Sequence, residues 1–190
     1  MAARFDAVVV GASAGALEAL SAILPLLPPH FPLPIMVVVH LPPGRPSALA
    51  ELFALKCQMV VKEAEDKEPI LPGTIYFAPP GYHLLVEVDK TLALSSDEPV
   101  LFSRPSVDVL FETAADAYRE RLIAVVLTGA NSDGAHGLKA VVEAGGVGLI
   151  QDPATAHSAF MPDAAAKASP EALIMTLASI TEYLQKGLNS

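Results

Sequence analysis

Three residues in this sequence have the types and settings for covalent chemistry: Ser13, His40 and Asp133. Ser13 lies in Gly11-Ala12-Ser13-Ala14-Gly15, directly after the apolar run Ala7-Val8-Val9-Val10. Ala16-Leu17-Glu18-Ala19-Leu20 then opens a helical pattern. The spacing is that of the G-x-S-x-G nucleophile elbow, a serine on a tight strand-to-helix turn. Glycines at 11 and 15 suit such a turn because they tolerate unusual dihedrals and close packing. The helix start behind Ser13 is expected to offer free N–H groups and a positive dipole end. His40 closes a second apolar run, Pro34 to Val39, and Asp133 follows a third, Leu122 to Leu127. Hydroxyl, imidazole and carboxylate are the inventory of a nucleophile, its base and the group that orients the base. Serine is inert at its free pKa, and an imidazole with a reference pKa of ~6.5 is largely neutral at pH 7 and able to take its proton.

Other uses of these residues fit less well. A dinucleotide turn needs G-x-G-x-x-G and an acid at the end of the next strand, where this chain has Ser13 and His40. Small residues after a first strand also serve simple helix-on-sheet packing. Asp133 and His136 stand three apart, and His40, His83 and His157 are available. There is no H-E-x-x-H and no closely spaced His pair, so neither a metal nor any other cofactor is expected. The chain order Ser, His, Asp departs from the Ser, Asp/Glu, His of α/β-hydrolases and speaks against that fold family.

The elements that must position these groups read as follows. Ala7–Val10, Pro34–Val39, Leu122–Leu127 and Val147–Gln151 are continuous apolar runs of the kind buried in parallel sheets. A first helix carries Leu17, Leu20, Leu24 and Leu27 on one face and is closed by Pro25, Pro28 and Pro29. Strand, helix, strand of that length is a parallel crossover, and ligands of such sheets bind at the strands' carboxyl ends. Ser47 can cap a short helix, Ala48 to Cys57, with Leu49, Leu52 and Phe53 inward. Lys62 to Glu68 reads as a solvated edge or loop. Thr74–Ala78 is a strand stopped by Pro79-Pro80-Gly81, and residues 83–88 and 91–94 form a hairpin around Asp89-Lys90. His83 follows that Pro-Pro-Gly turn and, on these residues alone, reads as structural. From Ser106 to Arg121 the pattern is helical, with Val107, Leu110, Phe111, Ala114 and Tyr118 on one face. Gly137–Glu143 is a short helix stopped by Gly145-Gly146. Ser169-Pro170-Glu171 starts a last helix carrying Leu173, Leu177, Ile180 and Leu184. The fold class is therefore α/β: a doubly wound, mostly parallel sheet with helices on both faces and a small antiparallel edge or hairpin. No boundary is forced, so residues 1–190 are read as one domain.

Composition narrows the function classes. A net charge of −9 with 12 Lys+Arg and no basic patch argues against nucleic acid. The chain is 52% hydrophobic, yet no apolar stretch approaches ~20 residues, so no membrane span or insertion is expected. The start does not read as a signal peptide, and the single cysteine, Cys57, reads as a small buried hydrophobe. A cytoplasmic protein is expected.

The sequence resembles the catalytic domain of the bacterial chemotaxis protein-glutamate methylesterases, the CheB family, over roughly Val8 to Ala166. Gly11–Gly15 resembles its serine turn and His40-Leu41-Pro42 its histidine segment. Leu71–Pro79 with Gly81 and His83 resembles its central segment, and Arg104-Pro105-Ser106-Val107-Asp108-Val109-Leu110-Phe111 matches closely. Thr128-Gly129, Asp133-Gly134 and Gly137 match the aspartate turn, and Met161-Pro162 a late Met-Pro. The resemblance implies hydrolysis of glutamate methyl esters on chemoreceptor cytoplasmic helices with release of methanol, and deamidation of receptor glutamines. It implies Ser13 as nucleophile, His40 as base and Asp133 as its partner. It further implies the Ala130 N–H as oxyanion donor, with His83, Arg104 and Ser106 at the substrate pocket. The sequence departs from the family at Ala14, commonly Thr, at Ala16, usually Gly, and at Ala130-Asn131, commonly Met-Gly. Family members typically carry an N-terminal receiver domain, whereas here the first catalytic strand begins near residue 6. The expected function is thus a serine hydrolase acting on methyl-accepting chemotaxis receptors. The alternatives are a carboxylesterase for a non-receptor or small-molecule ester, and a non-catalytic protein-binding module of the same fold.

Overall fold

The computed structural model describes residues 4–42 and 44–187. In chain order the elements are β1 (Ala7–Ala12), α1 (Ala16–Ser21), β2 (Ile35–Val39), α2 (Leu49–Lys56), β3 (Val60–Glu63), β4 (Thr74–Phe77), β5 (His83–Val86) and β6 (Leu92–Ser95). There follow α3 (Val107–Tyr118), β7 (Leu122–Val126), α4 (Ala135–Glu143), β8 (Val147–Gln151), α5 (Phe160–Ala168), β9 (Leu173–Met175) and α6 (Leu177–Lys186).

Among the described residues, seven strands form one sheet in the order β3-β4-β2-β1-β7-β8-β9, every neighbouring pair parallel. The apolar runs are continuous because both faces of this sheet are covered. Val8, Val10, Ile35, Val37, Ile123 and Val125 face one core, shared with Leu20, Phe53, Ile180 and Leu184 of α1, α2 and α6. Ala7, Val9, Met36, Val38, Ala124 and Val126 face the other, with Leu110, Phe111, Leu138 and Met161 of α3, α4 and α5. Each such Val, Leu, Ile, Phe or Met side chain contributes roughly 1.5–3 kcal/mol by leaving water. Period-two alternation along every central strand therefore holds helix layers on both sides.

The antiparallel hairpin exists as a separate two-stranded sheet, β5-β6, in register His83↔Ser95 to Val86↔Leu92. It leans on α3, where the Val86 N–H donates to Thr113 Oγ1 at 3.1 Å. The stretch read as a solvated edge begins as β3, an exposed edge strand whose Lys62 pairs with Glu68 at 2.7 Å. The structure departs from the sequence reading at three places. Leu173 belongs to β9, not to the last helix. Its backbone pairs with β8 from Leu149↔Leu173 to Gln151↔Met175, and α6 begins at Leu177 with Thr176 as its cap. The segment carrying Met161-Pro162, where the sequence pattern predicts no element, is α5, with Met161 fully buried. The first helix is also shorter than its leucine spacing suggests: α1 ends at Ser21, and Leu17 is 48% exposed.

Candidate active site

Strand order brings the chemistry together. Ser13 follows β1, His40 follows β2 and Asp133 follows β7, and β1 lies between β2 and β7 in the sheet. The chain leaves β1 to one side for β2 and is built out on the other side from β7. A crevice opens at the carboxyl ends where the winding reverses.

Each group is held by its local backbone. The Ser13 N–H donates to the Thr128 carbonyl at 2.9 Å and its own carbonyl accepts from Ala16 N at 2.9 Å, which closes the turn. Thr128 Oγ1 donates to the Ala14 carbonyl at 2.8 Å, tying the elbow to the loop after β7. Gly15 has φ +86°, and a Cβ there would stand 2.6 Å from His157 Cβ. Gly11 has no unusual φ, but a Cβ would meet Val107 Cγ1 at 2.3 Å. The two glycines thus serve different needs, left-handed backbone at 15 and close approach of α3 at 11. With six residues, α1 supplies a shorter dipole than the expected one. His40 N donates to the Ala12 carbonyl at 3.1 Å, carrying the β1–β2 pairing up to the imidazole.

Asp133 is the most heavily bonded side chain of the site. Its Oδ2 accepts from His40 Nε2 at 2.7 Å and from Val107 N at 2.6 Å. Its Oδ1 accepts from Ser106 Oγ at 2.8 Å and Asp108 N at 2.9 Å. The carboxylate is fully buried. Burial opposes its charge, but the bonds from His40 and from the Asp108 and Val107 N–H groups outweigh that and hold the carboxyl below the usual carboxylate range. Because a carboxylate only accepts, His40 Nε2 carries a proton, and Nδ1 is the ring nitrogen left to act as base. Ser13 and His40 line one open groove of about 650 Å³ together with Leu17, Glu18, Leu41 and His157. On the other side of the imidazole, a hollow of about 200 Å³ is lined by Arg104, Ser103, Phe102 and Gly81.

The remaining expected site residues divide. Arg104 lines that second hollow, and its Nη1 donates to the carbonyls of Ser96 and Asp97 at 3.1 and 3.2 Å. Ala130 is exposed on the loop after β7, and its N–H donates to none of the described residues. His83 and Ser106 do not reach the groove. His83 is buried, with Nδ1 accepting from Ser106 N at 3.1 Å and Nε2 against the Glu98 carbonyl at 2.9 Å. Ser106 is fully buried, caps α3 and donates to Asp133. Ser106 bonds Asp133 and His83 bonds Ser106, so both lie behind the carboxylate and away from the groove.

Two further residues bond within the site, Asp108 and Asn131, to which the sequence pattern assigns no role. Asp108 Oδ1 accepts from Gly134 N at 2.9 Å and Gly137 N at 2.7 Å, so it ties the start of α4 to α3. Desolvation, aided by the charge of Asp133, pushes its carboxyl up to about 6. Asn131 Oδ1 accepts from Asp133 N at 3.1 Å, and its Nδ2 lies 3.4 Å from His40 Nδ1. An acid in the first turn of α3 and an amide two residues before Asp133 were the available signals.

Comparisons with known proteins point to one family. The family model described as CheB methylesterase matches residues 8–184. A Leptospira interrogans protein, whose name gives protein-glutamate methylesterase/protein-glutamine glutaminase provisionally, is 48% identical over 179 residues, 94% of this chain and 93% of its own length. Protein-glutamate methylesterase/protein-glutamine glutaminase 1 of Carboxydothermus hydrogenoformans is 40% identical over 93% of this chain, which spans 54% of that protein. The crystal structure of the Thermotoga maritima CheB methylesterase catalytic domain superposes with a TM-score of 0.90 at 34% identity, covering 95% of this chain and 97% of that one.

Proposed function

This chain belongs to the CheB methylesterase family and is an enzyme of the protein-glutamate methylesterase type; from that premise we propose that it removes methyl esters from glutamate side chains of chemoreceptors by serine-nucleophile hydrolysis. The supporting observation is the 2.7 Å contact between His40 Nε2 and buried Asp133, with His40 and Ser13 in one groove.

In this reading His40 Nδ1 takes the Ser13 Oγ proton as Oγ attacks the ester carbonyl. The Ala130 N–H, at the lip of the loop after β7, donates to the developing oxyanion. The imidazolium, stabilised by Asp133, returns the proton to the departing methoxide, and methanol leaves. A water then attacks the acyl-serine with Nδ1 again as base, releasing the glutamate carboxylate and Ser13. The same cycle applied to a glutamine side chain releases ammonia, which matches the second activity named for the relatives. No step requires a metal or an organic cofactor.

The test is methanol release from methylated receptor membranes, comparing the parent with Ser13→Ala. Loss of release on that substitution supports the reading. Release from small methyl esters but not from receptor would favour the small-ester alternative. No hydrolysis of either would leave a binding module.

A further inference from the structure

We infer that Asn131 is a positioning residue that holds the His40 imidazole as a neutral base, with its lone pair at Nδ1; this rests on the reading of His40 as the base. The Asn131 amide has one orientation consistent with its neighbours. Its Oδ1 faces the Asp133 N–H at 3.1 Å, which can only donate. Nδ2 therefore points the other way, to His40 Nδ1 at 3.4 Å and Ser103 Oγ at 3.4 Å. The imidazole is gripped at both nitrogens by groups of opposite demand. Asp133 accepts the Nε2 proton, and the Asn131 N–H offers a donor to Nδ1.

That donor favours the ring without a proton at Nδ1, because an imidazolium would set N–H against N–H. Asp133 pulls the other way by favouring the charged ring. The other charged or titratable groups around His40 are Arg104 in one hollow and Glu18, Lys56 and His157 in the other, with Asp108 behind Asp133. None of these makes a hydrogen bond to His40 among the described residues. At 3.4 Å the Asn131 contact is long, so Ser13 Oγ–H can displace it when the nucleophile engages. The amide thus holds the ring plane between turnovers and gives up its place during them. The Asp133 N–H bond, two residues along, makes the same side chain part of the turn that carries Asp133.

The test is a 15N and 13C NMR titration of the histidines in the full chain, with the His40 signals assigned by their loss in His40→Gln. Asn131→Ala removes the donor. Asn131→Asp keeps the acceptor for the Asp133 N–H, and so the turn, but turns a carboxylate oxygen toward Nδ1. The His40 midpoint should move up by about half a pH unit in Asn131→Ala and by at least about one unit in Asn131→Asp. The Nδ1 resonance of the neutral ring should also move toward that of an unbonded pyridine-type nitrogen in Asn131→Ala. The acid limb of kcat/KM for methanol release should follow the same order, with Asn131→Asp regaining activity as pH rises. Midpoints unchanged in both variants would overturn the inference and leave Asn131 a turn former. Parent-level turnover by Ser13→Ala would instead refute the base reading, a result distinct from any midpoint shift.

Discussion

Asp133→Asn tests the site most sharply, because all the acceptor positions of this carboxylate are in use. Two donors meet Oδ2, from His40 Nε2 and Val107 N, and two meet Oδ1, from Ser106 Oγ and Asp108 N. An amide replaces one oxygen with a donor, and either orientation places that NH2 against a backbone N–H. If it faces Asp108 N, the Ser106 hydroxyl can rotate to accept, but the Asp108 N–H is left unpaired. If it faces Val107 N, that N–H is unpaired and His40 must present its Nε2 lone pair, which moves the proton to Nδ1. A buried donor without a partner costs about 1–3 kcal/mol. Asn is therefore no neutral replacement here, although it caps helices nearly as well as Asp. Activity falls by one of two routes. The first orientation keeps the tautomer but removes the charge that stabilises the imidazolium. The second blocks the base outright, and the same change in the triad of a serine protease costs about 10⁴ in kcat. We expect a loss between about 10² and 10⁴ in kcat, with a stability loss of about 1–3 kcal/mol, measured by methanol release and urea unfolding on one preparation well below its Tm. Near-parent turnover in the folded variant would refute the role of Asp133, and an unchanged urea midpoint would refute the four-bond accounting.

Three further outcomes are expected. Ser13→Ala and His40→Ala should each lower kcat by roughly 10⁴–10⁶ with unchanged circular dichroism, and parent-level activity in either would remove that residue from the mechanism. Asp108 is raised in the fold to about 6 from 3.8, so its contribution to stability falls as pH rises through that window and is flat above it. Asp108→Asn keeps the acceptor for Gly134 and Gly137, so its stability relative to the parent should rise by on the order of 2 kcal/mol between pH 4 and 7, and parallel urea-unfolding curves over that range would contradict this. Gly15→Ala forces a Cβ at φ +86° to within 2.6 Å of His157 Cβ; it should cost more than about 1 kcal/mol and disturb the elbow, and a parent-like melting curve would argue against strain there.

The central strands and the placing of Ser13, His40 and Asp133 at strand ends were legible in the chain, because long apolar runs and glycine-bounded turns are local signals. The start of the α3 pattern at Ser106 was legible too, while the cap bond that Ser106 makes there is seen only in the fold. The short run Leu173–Met175 could not be told from a helix start, since three apolar residues carry no period; pairing with β8 decided it. Which faces and nitrogens meet is likewise a tertiary matter. His40 and Asp133 are 93 residues apart, and only the order β2-β1-β7 makes them neighbours. Packing of the hairpin and α3 buries His83 and Ser106, and the loop after β7 sets Asn131 against the imidazole. A hydrogen bond needs partners within about 3 Å, and no spacing along the chain specifies which distant donor arrives at that distance.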